Sequence, residues 1–84
     1  MMLVRFHPNA LERMEERGTT KEQVTIVVKD GERFPARFGR TGFRRNFPFD
    51  NNWRDKYYRT KQVEAYAVQE GTDWLVITII TRYF

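Results

Sequence analysis

The last eleven residues of the chain show its strongest hydrophobic pattern. Residues 74–84 are rich in β-branched and aromatic side chains and contain no Gly or Pro, so they predict a β-strand. Alternation places Leu75 and Ile77 on one face of this strand, and Val76 and Ile80 on the other. Because both faces are mostly apolar, we expect the strand to lie in the middle of a sheet and to be covered, at least in part, on both sides.

A segment near the N-terminus has the signals of a short helix. Asn9 and Glu12 form a capping box, which predicts a helix over residues 10–17 that ends at Gly18.

A second short helix is predicted directly after the first. Thr20 and Gln23 repeat the capping-box pattern, and the valines that follow predict a buried face through about Lys29. Because two helices of this length are not stable alone in water, we expect a helical hairpin that packs on the sheet.

After the helices the hydrophobic period changes toward two. Pro35 places the first extended piece on an edge or in a turn, and residues 43–49 predict a strand. Residues 50–52 are expected to form a polar loop, residues 57–69 extend again, and residues 70–73 turn the chain into the final strand.

These elements predict one α+β domain over residues 1–84. We expect an N-terminal helical hairpin packed on a twisted antiparallel sheet of about four strands, with the final strand central. If Gly71 and Thr72 are the central turn residues, Lys61 faces Arg82 across the sheet. Two cations side by side are unfavourable unless an anion lies between them, so this register predicts an anion site.

Basic residues are concentrated in the middle third of the chain. Residues 33–61 carry nine basic and two acidic side chains, whereas the rest of the chain sums to a charge of −3. Such a block is typical of a protein that binds a polyanion, although a solvated face of loops and edge strands would have the same composition. The candidate nucleic-acid-binding residues are Arg40, Arg44, Arg45, Arg54, Lys56 and Arg59.

Several classes of chemistry are excluded by composition. The chain has no cysteine and a single histidine, so disulfides, thiol nucleophiles, thiolate metal sites and multi-histidine metal sites are excluded. We therefore expect no metal or cofactor, and a cytoplasmic location. The longest apolar run, residues 74–80, is too short to cross a bilayer, so no membrane partner is expected.

The remaining polar residues suit metal-independent cleavage of RNA. RNA carries its own nucleophile, the 2′-hydroxyl, so an RNase needs only to remove its proton, stabilise charge on the phosphate and protonate the leaving 5′-oxygen. Lys61 and Arg82 are the candidates for holding the phosphate, and His7 or Tyr83 for moving protons. Each residue also has a structural interpretation: His7 as a helix cap, Tyr83 as core, and Arg82 as a side chain that simply reaches solvent.

Four segments carry a resemblance to known proteins. Phe6-His7, residues 10–18, residues 20–24 and residues 76–80 resemble a widespread family of small prokaryotic proteins of unknown function. That family is similar to the RelE- and BrnT-type toxins of toxin–antitoxin systems. The resemblance implies a helical hairpin on a twisted antiparallel sheet, a ribosome-dependent or free mRNA endonuclease, and a cognate antitoxin as partner.

The same resemblance implies where catalytic residues lie. Toxins of this type place Arg and Lys on the central strands and often a Tyr or Arg near the C-terminus. Lys61, Arg82 and Tyr83 occupy comparable places by their order along this chain.

Two other classes of function stay open from the sequence. The first is a nucleic-acid-binding module without turnover, in which Lys and Arg substitutions lower affinity and its salt dependence about equally. The second is an interaction subunit whose aromatic edge, around residues 43–49, docks a partner peptide by strand addition. The sequence predicts no particular oligomeric state.

Overall fold

The protein folds as one mixed sheet with two helices on one side. The structure is a computed structural model that describes residues 2–84. Its elements in chain order are β1 Val4–Phe6, α1 Pro8–Arg17, α2 Lys21–Asp30, β2 Glu32–Pro35, β3 Thr41–Trp53, β4 Lys56–Glu70 and β5 Asp73–Tyr83. The strands lie in the order β1-β5-β4-β3-β2. Both helices contribute to a single core on one face of this sheet, and we call the other face the open face.

The protein is a small α+β domain, but the predicted helical hairpin on a four-stranded antiparallel sheet is wrong. The sheet has five strands and is mixed, because β1 pairs in parallel with β5 while the other pairs are antiparallel. The central strand is β4 and not the final strand. Each helix packs mainly on strands, α1 on β5 and β1, and α2 on β4 and β3, rather than on the other helix.

A β-bulge in β5 changes the predicted register. The turn at residues 71–72 is as predicted. However, Tyr66 and Ala67 are adjacent on β4, whereas their partners Thr78 and Val76 on β5 are separated by Ile77. Ile77 is therefore the extra residue of the bulge. One extra residue shifts every later pair by one position.

The bulge separates the two residues that we expected to hold a phosphate together. Lys61 pairs with Tyr83, and Arg82 pairs with Gln62. Because paired residues share a face and neighbours along a strand alternate, Lys61 points to the helices and Arg82 to the open face. The predicted pairing of Lys61 with Arg82 is therefore wrong.

The long β3–β4 hairpin also differs from the prediction. The polar loop predicted at residues 50–52 is wrong, because these residues continue β3 and the ladder extends to the pair Trp53 and Lys56. The turn is formed by Arg54 and Asp55, with φ values of 52° and 69°. Positive φ at both central residues is what a type I′ hairpin turn requires.

The start of the predicted docking edge is already occupied. Phe43 and Arg44 pair with β2, and Phe43 is fully buried in the core.

As predicted, Pro35 lies in an edge strand, β2.

The cap of α1 is His7 and not the predicted Asn9. The His7 Nδ1 atom accepts a hydrogen bond from the backbone N–H of Asn9 at 3.0 Å, and Pro8 occupies the first helical position. The Asn9 side chain instead donates to the carbonyl oxygen of Ile77 at 3.1 Å. The first turn of α1 is thereby attached to the bulge of β5.

The core lies between the helices and the sheet. The predicted cap of α2 is confirmed, with Thr20 Oγ1 accepting from the backbone N–H of Gln23 at 3.2 Å. Small residues on β4, Ala65 and Ala67, leave room for larger side chains from the helices. The buried apolar residues are Ala10, Met14, Val24, Val27, Val28, Phe43, Val63, Ala65, Ala67, Trp74, Val76 and Ile79.

Candidate functional site

A cluster of charged residues occupies the centre of the open face. Glu64, on the central strand, is only 4% exposed. Its carboxylate accepts hydrogen bonds from Arg82 Nη1 at 2.6 Å and from Arg44 Nη1 at 3.4 Å. The hydroxyl of Tyr66 donates to the same carboxylate at 3.2 Å. We call these four residues, which come from three neighbouring strands, the Glu64 cluster.

The Glu64 cluster presents two guanidinium groups at fixed positions. A buried carboxylate requires compensating partners, and here two arginines and a hydroxyl supply them. Arg44 is held further by an ion pair with Glu32. The side chains of Arg44 and Arg82 are nevertheless 38% and 54% exposed. Exposed, oriented guanidinium groups suit the recognition of phosphate.

Tyr66 is a hydrogen-bond donor within this cluster. Burial and the charge of Glu64 raise the pKa of Tyr66, so its hydroxyl remains protonated at neutral pH.

An apolar groove of about 400 Å³ adjoins the Glu64 cluster on the open face. The rings of Phe34 and Tyr66 meet edge to face with centroids 6.0 Å apart. Gly42 lies beneath Phe34, where a Cβ atom would overlap the ring. The Arg44 guanidinium lies 4.8 Å from the centroid of Phe34, so the groove and the cluster are continuous. We call it the aromatic groove, and its lining consists of Phe34, Pro35, Ala36, Arg37, Phe38, Arg40, Tyr66, Thr78 and Ile80.

Lys61 is buried on the helix side and is not accessible to a substrate. The residue is 3% exposed, and its Nζ donates to the carbonyl oxygen of Gly18 at 2.5 Å and to Gln23 Oε1 at 2.9 Å. Burial lowers the pKa of Lys61. Its ammonium group therefore attaches the loop between the helices to β4, close to the C-terminal end of α1, where a cation is favourable.

Tyr83 and Arg54 also bind the last turn of α1. The Tyr83 hydroxyl donates to the carbonyl oxygen of Arg17 at 2.8 Å, and burial raises the pKa of that hydroxyl. Trp53 stacks on the Tyr83 ring with centroids 4.9 Å apart. Arg54 donates to the carbonyl oxygen of Glu16 at 3.4 Å. These side chains position α1 on the sheet.

The four predicted catalytic residues do not form one site. Lys61 and Tyr83 are neighbours, but both are bonded to backbone carbonyls of the α1 end. His7 caps the other end of α1, a ten-residue helix about 15 Å long. Arg82 lies on the opposite face of the sheet, in the Glu64 cluster.

The predicted nucleic-acid-binding residues are divided between the faces. Three lie on or beside the open face: Arg44 in the Glu64 cluster, Arg40 at the aromatic groove, and Arg59 at a second shallow groove with Asn46 and Thr60. The other three lie elsewhere, with Arg45 opposite the buried Val63 on the helix side and two residues at the hairpin turn, Arg54 and Lys56.

The sequence interpretation missed Glu64, Tyr66 and the aromatic groove. A signal for Glu64 was present, because a carboxylate inside the apolar run of residues 63–67 requires partners. No local sequence signal predicts the groove, because Phe34 and Tyr66 are brought together only by the pairing of β2, β3 and β4.

Comparison with protein-family models, with curated proteins and with solved structures gives no match. Among residues 2–84, no group of three or more histidine, aspartate or glutamate side chains could hold a metal ion. Within the same part of the chain, no helix has the length and apolar character needed to span a membrane.

Proposed function

We propose that this protein binds single-stranded RNA along its open face. The observation that carries the proposal is the Glu64 cluster beside the aromatic groove. Arg44 and Arg82, oriented by one buried carboxylate, are suited to bind a phosphate, and the neighbouring rings are suited to stack an unpaired base.

The order of the grooves and the Glu64 cluster along β4 supports binding of an extended single strand of RNA. The aromatic groove at Tyr66, the Glu64 cluster and the second groove at Thr60 follow one another along this strand. Six residues of extended chain span about 20 Å. Arg40 adds positive charge at one end, and at the other end Arg59 lies in a groove that also contains Asp50.

A second candidate function is metal-independent cleavage of the bound RNA, favoured by the position of Glu64 between two arginines. The 2′-hydroxyl would lose its proton to water as its oxygen attacks phosphorus, while Arg44 and Arg82, oriented by the buried Glu64 carboxylate, stabilise the developing charge. The bond to the 5′-oxygen breaks and leaves a 2′,3′-cyclic phosphate. Tyr66 would protonate the leaving oxygen and then recover a proton from water.

Cleavage of this kind is the toxin-like activity that the RelE/BrnT resemblance implies. It would keep Arg82 and use Arg44 and Tyr66 in place of His7, Lys61 and Tyr83. A cognate antitoxin would then act by covering the open face.

RNA binding is tested with two substitutions that change the net charge equally. In fluorescence anisotropy with labelled single-stranded RNA in EDTA, Arg82→Gln is expected to weaken binding about 10-fold or more, since it removes a charge-assisted contact. Arg45→Gln removes the same charge from the other face and is expected to change affinity about twofold or less. Equal losses in the two folded variants would contradict binding at the open face.

Cleavage is measured in parallel incubations with end-labelled RNA, with and without translating ribosomes. We expect discrete cuts that leave 2′,3′-cyclic phosphate ends and that are lost in Glu64→Gln. Binding without any cut would contradict the second candidate function and leave the first intact.

A further inference from the structure

The turn at residues 36–40 exposes a large aromatic side chain beside the aromatic groove. Phe38 is 85% exposed, the highest value among the large apolar residues found at the surface of residues 2–84. Its φ of 62° lies in the left-handed region, which is strained for a residue with a side chain. The turn is closed by hydrogen bonds from the N–H of Ala36 to the oxygen of Arg40 and from the N–H of Arg40 to the oxygen of Arg37, both 3.2 Å.

Neither burial nor packing in the core accounts for this aromatic side chain. Phe38 is absent from the core cluster, and the Arg40 guanidinium lies 5.9 Å from its ring centroid. The strain and the exposure therefore point to a role toward a ligand.

The groove beside Phe38 has the size and chemistry of a site for a flat apolar group. Its volume of about 400 Å³ is in the range of small-molecule sites. Ile80 and the ring of Tyr66 supply apolar surface, and Phe34 stands edge-on to Tyr66. The Tyr66 hydroxyl is already bonded to Glu64, so Thr78 supplies the remaining hydroxyl of the lining.

The charges around the groove favour binding of an anionic ligand. The lining contains two arginines, Arg37 and Arg40, and no carboxylate. A third guanidinium, that of Arg44, adjoins the groove at Phe34 and is already paired with Glu32 and Glu64. A purely apolar ligand would cover Arg37 and Arg40 without compensating them, whereas a base that carries phosphates on either side would neutralise them.

We infer that the aromatic groove is a base-binding subsite, in which Phe38 closes over one unpaired nucleobase seated against Phe34 and Tyr66. The phosphates that flank this base lie on Arg40 and Arg44. This inference rests on the proposed RNA binding and adds the place where a base, rather than the backbone, is recognised.

The test compares two strands that carry the same number of phosphates. One is a short single-stranded RNA, and the other is the same ribose-phosphate strand without bases. Stacking of one base on aromatic side chains is expected to make the wild-type protein bind the RNA about 5- to 100-fold more tightly than the abasic strand.

Substitution of Phe38 shows whether that preference arises in the groove. Phe38→Ala is expected to lose most of the preference for the base-containing strand, and Phe38→Trp to retain it. Leu11→Ala, which truncates an exposed apolar residue on α1, is the control and should keep the wild-type preference. Because Phe38 lies in an exposed turn, the two Phe38 variants should keep the wild-type unfolding midpoint.

The outcomes separate this inference from the proposed function. Equal binding of the two strands by the wild-type protein, or a full preference in Phe38→Ala, would overturn the base subsite while RNA binding stands. Failure of both strands to bind would overturn the proposed function itself. If a mononucleotide binds as tightly as the RNA, the groove is a site for a free nucleotide, and the inference that it holds a base of an RNA strand is overturned.

Discussion

At the scale of single residues, two equally buried charges have opposite roles. Lys61 is enclosed on the helix side and its partners are neutral oxygens of Gly18 and Gln23. Glu64 is enclosed on the open face and its partners are the guanidinium groups of Arg44 and Arg82, which reach solvent. Lys61 therefore serves the fold, whereas Glu64 orients groups that a ligand can contact.

Lys61 has a predictable effect on stability. Replacement by methionine removes the charged donor to the carbonyl oxygen of Gly18 and to Gln23 Oε1, and the second acceptor keeps the Thr19 hydroxyl as a donor. Because the loss of such a donor costs about 1–3 kcal/mol, we expect Lys61→Met to lower the free energy of unfolding at neutral pH by about that amount, as measured by urea denaturation.

The difference in free energy of unfolding between the wild-type protein and Lys61→Met should change with pH in a definite direction. Burial lowers the pKa of Lys61 in the folded state, so between that lowered pKa and its ordinary value the unfolded chain binds more protons. In this interval the stability of the wild-type protein increases with pH, and Lys61→Met lacks the increase. The stability difference should therefore widen from neutral to alkaline pH, and parallel curves for the two proteins would contradict a lowered pKa.

At the scale of elements, the last turn of α1 is held by side chains from the sheet. Gly18 ends the helix in the left-handed conformation, with φ 70°. A Cβ atom at this position would overlap the ring of Trp53. The glycine thus satisfies both a conformational and a packing requirement.

Gly18→Ala can be compared with Gly39→Ala to separate these two requirements. Gly39 has a similar φ of 68°, but a Cβ atom there would meet nothing within 4 Å. Gly39→Ala is expected to cost only the backbone strain, about 1–2 kcal/mol. Gly18→Ala should cost about 1–3 kcal/mol more, because Trp53 must move. Thermal and urea unfolding measure both values, and equal losses would show that contact with Trp53 is unimportant.

Local sequence signals predicted some elements and not others. The Thr20 cap, the helix end at Gly18 and the turn at residues 71–72 follow from residues adjacent in the chain, and all three are present. The parallel pairing of β1 and the bulge at Ile77 follow from contacts distant in sequence, which no local pattern reveals.

The candidate site was predictable to the same limited extent. The charge block includes Arg40 and Arg44, which lie at the aromatic groove and in the Glu64 cluster. The predicted partner of Arg82 was wrong, because a single bulge residue pairs Arg82 with Gln62 instead of Lys61 and leaves its guanidinium bonded to Glu64. A site assembled from three strands depends on their register, and one extra residue is enough to change it.

At the scale of the whole molecule, the two faces of the sheet are different. One face is covered by both helices and contains the core. Within residues 2–84 the open face has no helix over it, and it contains the Glu64 cluster and the aromatic groove. This asymmetry predicts that any RNA ligand contacts one side of the molecule only.

A titration of isotope-labelled protein with single-stranded RNA, followed by NMR amide shifts, shows which face of the sheet binds the RNA. We expect the largest changes in β4, in the adjoining parts of β3 and β5, and in the turn at residues 36–40. Amides on the outer surface of the helices, at Leu11 and Ile26, should be unchanged. Changes concentrated in α1 and α2, or no change at saturating RNA, would contradict the account.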